Sequence, residues 1–193
     1  MLLNNNDLNR ALGLVGELLA ADDETLSVVI IGGAALNLLG VVSRTTRDVD
    51  VVAMTSSPGQ ALVAPANPLP APLVKAVETV ARDLGLAPNW LNRGPASQWE
   101  IGLPPGFADR LHWRSFGPLH VGIADRFDLI HFKLEAAADQ PSAEANRHLE
   151  DLLALRPSDS DLDAAVAWVK EKNVGPGYHE VVNKVRDHVI AHR

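Results

Sequence analysis

Asp48 and Asp50 stand two residues apart at the head of the apolar run "DVDVVAM", and Gly32-Gly33 closes an earlier one, "LSVVIIGG". On a strand, side chains two apart point to the same side, about 6.6 Å from Cα to Cα. Like charges held so near are unfavourable unless a cation lies between them. Mg²⁺ suits such hard oxygen donors: it typically takes one or two carboxylates and completes its shell with water and substrate phosphate. The simpler reading is two solvent-facing acids on an edge strand. Valines on both sides of the run argue for an interior strand with acids at its leading end. After the first run, the glycines permit a tight turn and a close ligand approach. The helix that follows would aim free N–H groups at an anion such as phosphate.

Two nucleotide motifs fail at this point. No Gly-Lys-Ser/Thr follows the glycines, so there is no P-loop, and "GGAALNLLG" lacks the G-x-G-x-x-G spacing of a dinucleotide fingerprint. In dinucleotide folds the acid also closes its strand, whereas here the acids open it. A mixed sheet reconciles the two features. A helix of about six residues advances only about 9 Å, and residues 40–47 are long enough to walk back. The second strand then starts beside the glycines and runs antiparallel to the first, bringing glycines and carboxylates to one point.

The elements needed to hold that point are legible along the chain. Leu8, Leu12, Val15, Leu18 and Leu19 recur at helical spacing, giving a helix over residues 7–20 with Asp7 as its N-cap. A buried strand is expected over 26–31, a short helix over 34–39 and a strand over 48–54. Residues 55–72 hold five of the thirteen prolines and read as a long irregular loop. A helix follows over 73–84. Residues 89–121 carry the remaining strands, with "SQWEIGL" and "GPLHVGI" the best candidates. Helices are then expected over 125–138, 143–155, 160–172 and 178–191. The fold class is α/β (α+β): a mixed-sheet core over 1–123 followed by a helical C-terminal subdomain over 124–193.

Composition narrows the function classes. The 193 residues suit one domain with a small appended subdomain, and 47% hydrophobic with 21% charged residues is ordinary for a globular protein. The absence of cysteine excludes a disulfide framework, a thiolate zinc site and a cysteine nucleophile. A net charge of −7 argues against broad nucleic-acid coating. A local patch drawn from Arg44, Arg47, Arg110, Arg114, Arg126 and Lys133 would still suit a small anionic substrate or one nucleic-acid end. The opening "MLLNNNDLNR" has neither a basic nor an apolar signal region, and no apolar run approaches the roughly 20 residues of a membrane span. A cytoplasmic protein with no membrane partner is expected.

The stretch "GGAALNLLGVVSRTTRDVDVV" resembles the G-[GS]…D-x-D signature of the DNA polymerase β-like nucleotidyltransferase superfamily. Its tail "RTTRDVD" is similar to the form found in the small AbiEii-type toxin branch. A second segment, "FDLIHFKLEAAADQPSAEANRHLEDLLAL", is similar to that branch's "dL…KLxA…D…DL", with Asp128, Leu129, Lys133, Leu134, Ala136, Asp151 and Leu152 in register. His148 stands where relatives often carry an acid.

The resemblance implies a mixed-sheet nucleotidyltransferase core and a Mg²⁺- or Mn²⁺-dependent transfer of a nucleoside monophosphate from an NTP to an acceptor hydroxyl. Asp48 and Asp50 would bind the metal, Gly32 and Gly33 would admit the phosphates, and Lys133 would neutralise phosphate charge. Asp151 would activate the acceptor or hold a metal through water. Arg44 is a candidate for pairing with phosphate, and Thr46 is a secondary ligand or a modified hydroxyl. For the third metal-directed carboxylate the first candidate is Glu100, with Asp109 behind it. The resemblance further implies an RNA 3′ end, tRNA among them, as acceptor, and a toxin role opposite a cognate antitoxin. The alternative is a non-catalytic nucleotide- or partner-binding module of the same fold. Each role has a structural counterpart: a solvated helix lysine, an ordinary acidic helix residue, an arginine paired with a nearby carboxylate.

Overall fold

The computed structural model describes residues 2–60, 64–140, 146–172 and 175–193, and the side chains of Ala64, Glu100 and Ile101 lie outside that description. The chain forms two compact units, Met1–Asp125 and Arg126–Arg193.

The first unit is built on a mixed sheet. Strand β1 (Leu26–Ile31) is central, with β2 (Val49–Thr55) antiparallel on one side and β6 (Leu119–Ile123) parallel on the other. Beyond β6 lies β5 (His112–Phe116), antiparallel to it. The far edge of β2 is shared by two short strands. Near its end it pairs antiparallel with β3 (Ala64–Pro65), and at its start it runs parallel to β4 (Leu91–Asn92). β1 is paired along both edges, and the burial of Val28, Val29, Ile30 and Ile31 in succession shows that both of its faces are covered as well. The β1–β2 register slips between Val29 and Ile30: Val29 faces Ala53 while Ile30 faces Val51. Val52 is the extra residue of this bulge, so Val51, Val52 and Ala53 are buried in succession where strict alternation would have exposed one.

Helix α1 (Asn5–Ala21) lays Leu8, Ala11, Leu12, Val15 and Leu19 against the core, the spacing of one helix face. Its N-cap is Asn4, with Asp7 closing a capping box from the third position. Asp7 is therefore not the cap that the sequence suggested. Helix α2 (Gly32–Leu38) follows β1 directly, and α3 (Ala71–Leu84) packs against α1 and ends at Gly85 in the left-handed conformation.

The expected strand in "SQWEIGL" is instead a short helix, α4 (Ser97–Ile101), preceded by a 3₁₀ turn over Gly94–Ala96. Trp99 and Ile101 matched a strand alternation only because a single helical turn is too short to display its own period. A further 3₁₀ turn spans Phe107–Arg110.

The second unit comprises α5 (Arg126–Ala138), α6 (Arg147–Ala154), α7 (Asp159–Glu171) and α8 (Pro176–His192). Helix α5 packs against the other three. Asn146 starts α6, its Oδ1 accepting from the His148 and Leu149 N–H groups and its Nδ2 donating to the Ala137 carbonyl at 2.8 Å. The expected start of this helix at residues 143–145 lies outside the described residues. Among the described residues no helix is long and apolar enough to cross a membrane.

Candidate functional site

The antiparallel β1–β2 ladder ends with Ile31 facing Asp50. Gly32, the next residue after β1, has φ +77°, a left-handed conformation that side chains other than glycine adopt at a cost. A Cβ there would stand 2.5 Å from Asp50 Oδ2. The first glycine of the pair thus leaves room for the second aspartate, and the turn and the carboxylate occupy one place.

The approach to β2 is pinned on both sides. Leu3 and Thr46 exchange two backbone hydrogen bonds of 2.8 Å, and the Val49 N–H donates to the Trp90 carbonyl at 2.6 Å. Trp90 is fully buried, and its indole Nε1 donates to the Val77 carbonyl at 3.1 Å. Asp48 and Asp50, each half-buried, flank the valine held by this anchor. Thr46, itself buried, donates its hydroxyl to the Asp48 carbonyl at 3.2 Å. Its Oγ1 lies 3.0 Å from where a Cβ on Gly33 would be, and Arg44 Nη2 lies 3.6 Å from the same point. Gly32, Gly33, Arg44, Thr46 and Asp50 therefore meet at one end of the sheet, with Asp48 on the loop that enters β2.

A residue outside the candidates drawn from the sequence joins them. Asn92, on β4, is the register partner of Asp50, and its Nδ2 donates to Asp50 Oδ1 at 3.3 Å. The Gly94 N–H donates to Asn92 Oδ1 at 2.6 Å. The signal was present in "LNRG", an asparagine two residues before a glycine, the pattern of an Asx turn.

The groups brought together here suit a hard divalent cation: the Asp50 carboxylate and the Thr46 hydroxyl, beside glycines whose missing Cβ leaves space at one carboxylate oxygen, with Asp48 two residues away along the chain. Among the described residues no group of three or more His, Asp or Glu side chains is arranged to hold a metal. Glu100 belongs to α4, which packs against β2 and β3, and its side chain lies outside the described residues. Asp109 is exposed and lines a separate cavity of about 440 Å³ with Trp99, Leu103 and Phe107.

The other two candidates lie in the helical unit. Lys133 and Asp151 are buried and form an ion pair, Nζ to Oδ2 at 2.7 Å. This matches neither a solvated lysine nor an ordinary surface acid. Each supplies the other's charge in an interior where an uncompensated ion is costly.

The family described as "Nucleotidyltransferase of unknown function (DUF6036)" matches residues 10–141, a span that contains all of the sheet-end residues and Lys133. No curated protein matches. A solved structure, an antigenic nucleotidyltransferase-like protein from Paracoccidioides brasiliensis, is similar with a TM-score of 0.49 and 14% identity, covering 95% of each chain.

Proposed function

This chain belongs to that family of nucleotidyltransferases of unknown function, and we propose that it transfers a nucleoside monophosphate from an NTP to an acceptor hydroxyl. The observation that carries the reading is the meeting of Gly32 with Asp50 at the β1–β2 end. Asp48 and Asp50 would hold Mg²⁺ or Mn²⁺, with the Thr46 hydroxyl close by. Bound there, the ion would supply charge stabilisation for the attacking and leaving oxygens. The acceptor oxygen bonds to the α-phosphorus as the bridge to the β-phosphate breaks, pyrophosphate leaves, and the hydroxyl proton passes to solvent. Gly32 and Gly33 let the triphosphate approach the backbone, and Arg44, beside Gly33, neutralises its charge. Lys133 and Asp151 serve the fold of the helical unit as mutual counter-ions.

The acceptor is proposed to be an RNA 3′ hydroxyl, tRNA first, and the cellular role that of a toxin with a cognate antitoxin. The resemblance of "RTTRDVD" and "FKLEAAAD" to the AbiEii-type branch supports these finer assignments. A second reading, a nucleotide-binding module without turnover, is favoured by the amide rather than a carboxylate beside Asp50. Incubation with each α-labelled NTP, Mg²⁺ and total RNA separates the two. Metal-dependent label in RNA supports the transferase, and nucleotide retention without any transfer supports the module.

A further inference from the structure

Asp50 presents its two oxygens to different neighbours. Oδ1 accepts from Asn92 Nδ2, and Oδ2 lies over Gly32. The Asn92 amide is itself oriented: its oxygen accepts from the Gly94 N–H, so the nitrogen is the end that faces the carboxylate. A Cβ on Gly94 would lie 2.8 Å from Asn92 Oδ1, so a side chain there would push the amide out of this position. The parallel pairing of Val49 with Leu91 and of Asp50 with Asn92 fixes the register of the whole arrangement.

We propose that Asn92 is a positioning residue for a divalent cation bound jointly with a triphosphate. It holds the Asp50 carboxylate in place through one amide N–H, and Gly94 holds the amide. The proposal rests on the metal and nucleotide reading above and adds a specific consequence. A carboxylamide turned this way donates and cannot ligate, so position 92 contributes no negative charge. A cation there would be held by two carboxylates, with phosphate and water oxygens filling the rest of its shell. Cation and triphosphate therefore bind together, each weakly without the other. Orienting partners of this kind typically contribute about 10- to 100-fold in metal affinity.

The test is Mn²⁺ binding to the full chain, followed by electron paramagnetic resonance with and without tripolyphosphate, a probe that carries no base. Asn92→Ala should weaken joint binding by about 10-fold. Gly94→Ala, which keeps the amide but crowds its oxygen, should weaken it in the same direction. Asn92→Asp supplies a third carboxylate and should tighten Mn²⁺ binding alone by about 10-fold, since ligand charge count sets the affinity of such sites. Opposite shifts for Ala and Asp at one position are not produced by a residue that only supports the fold. If Asn92→Ala fails to fold, Gly94→Ala and Asn92→Asp carry the test. Wild-type affinity in all three variants, with binding lost in Asp50→Asn, overturns the role of Asn92 and leaves the metal reading intact. If wild type and Asp50→Asn bind Mn²⁺ and tripolyphosphate alike, the metal reading fails and the role of Asn92 fails with it.

Discussion

Ile31 and Asp50 face each other across an antiparallel ladder, so the end of one strand coincides with the start of the next. That relationship places the glycine turn after β1 and the acids before and within β2 at the same end of the sheet. A parallel β1–β2 pair would have put them at opposite ends. The seven residues of α2 and the loop pinned by the Leu3–Thr46 bridge are the connection that makes the reversal possible.

Gly32 should be intolerant of a side chain for two reasons that can be separated. Gly40 has nearly the same φ, +74°, but nothing within 4 Å of where its Cβ would stand, so Gly40→Ala should cost only the left-handed strain, about 1 kcal/mol. Gly32→Ala adds a collision with the Asp50 carboxylate and should cost more, about 2–3 kcal/mol. Urea denaturation of both variants measures the difference. Equal losses would mean that Asp50 yields to the methyl group freely.

The buried pair of Lys133 and Asp151 should show strong coupling. Lys133→Met or Asp151→Leu alone strands an ion in the interior and should cost about 3–5 kcal/mol. The double variant removes both ions and should recover at least about 2 kcal/mol of the summed loss. A double-mutant cycle in guanidinium reads this directly. Additive single losses would show that other partners already satisfy each charge.

The features legible in the sequence were those with long, one-sided signals. β1, α1, α3 and the antiparallel turn into β2 followed from apolar runs, helical spacing and the glycine pair. Short elements escaped. Two residues of β4 carry no alternation, and Asn92 therefore had no address until the sheet supplied Asp50 as its partner. β5 was hidden for another reason. As an edge strand it exposes His112, Arg114 and Ser115, polar residues that discourage further pairing. Trp113 covers the bare face of its cross-strand partner Gly122, a contact that neither residue announces alone. The Lys133–Asp151 pair joins residues eighteen apart on different helices, beyond the reach of any local spacing rule.

Acid should weaken the helical unit through Asp161. Burial tends to raise its pKa, but the Ser158 backbone and side chain and the Arg126 guanidinium more than offset this and hold it below the ordinary 3.8. A carboxylate depressed in the folded state contributes stability above its unfolded pKa and loses it as pH falls through the folded one. Asp161→Asn should therefore cost about 1 kcal/mol at pH 7, the upper worth of a carboxylate in the first turn of a helix, and progressively less below pH ~4. Thermal melts of both proteins from pH 7 to pH 2.5 test this. A stability gap that does not narrow on acidification would remove the ionised Asp161 carboxylate from the account.

Metal binding should appear as a stability that depends on cation concentration. Asp48 and Asp50 bring two negative charges to one strand entry, an arrangement that costs energy without a counter-ion. Asp48→Asn removes part of that repulsion, so the metal-free variant should be at least as stable as the metal-free wild type. A cation that binds only the folded state stabilises it by RT ln(1 + [L]/Kd), about 2.7 kcal/mol at 100 times Kd. With tripolyphosphate present, the wild-type melting temperature should climb with each addition of Mn²⁺, while Asp48→Asn and Asp50→Asn should stay nearly level. Arg82→Ala, on α3 and away from the end of the β1–β2 ladder, serves as the control and should climb like wild type. Parallel climbs in all four proteins would place the cation elsewhere on the surface and leave the two aspartates as ordinary acids at a strand end.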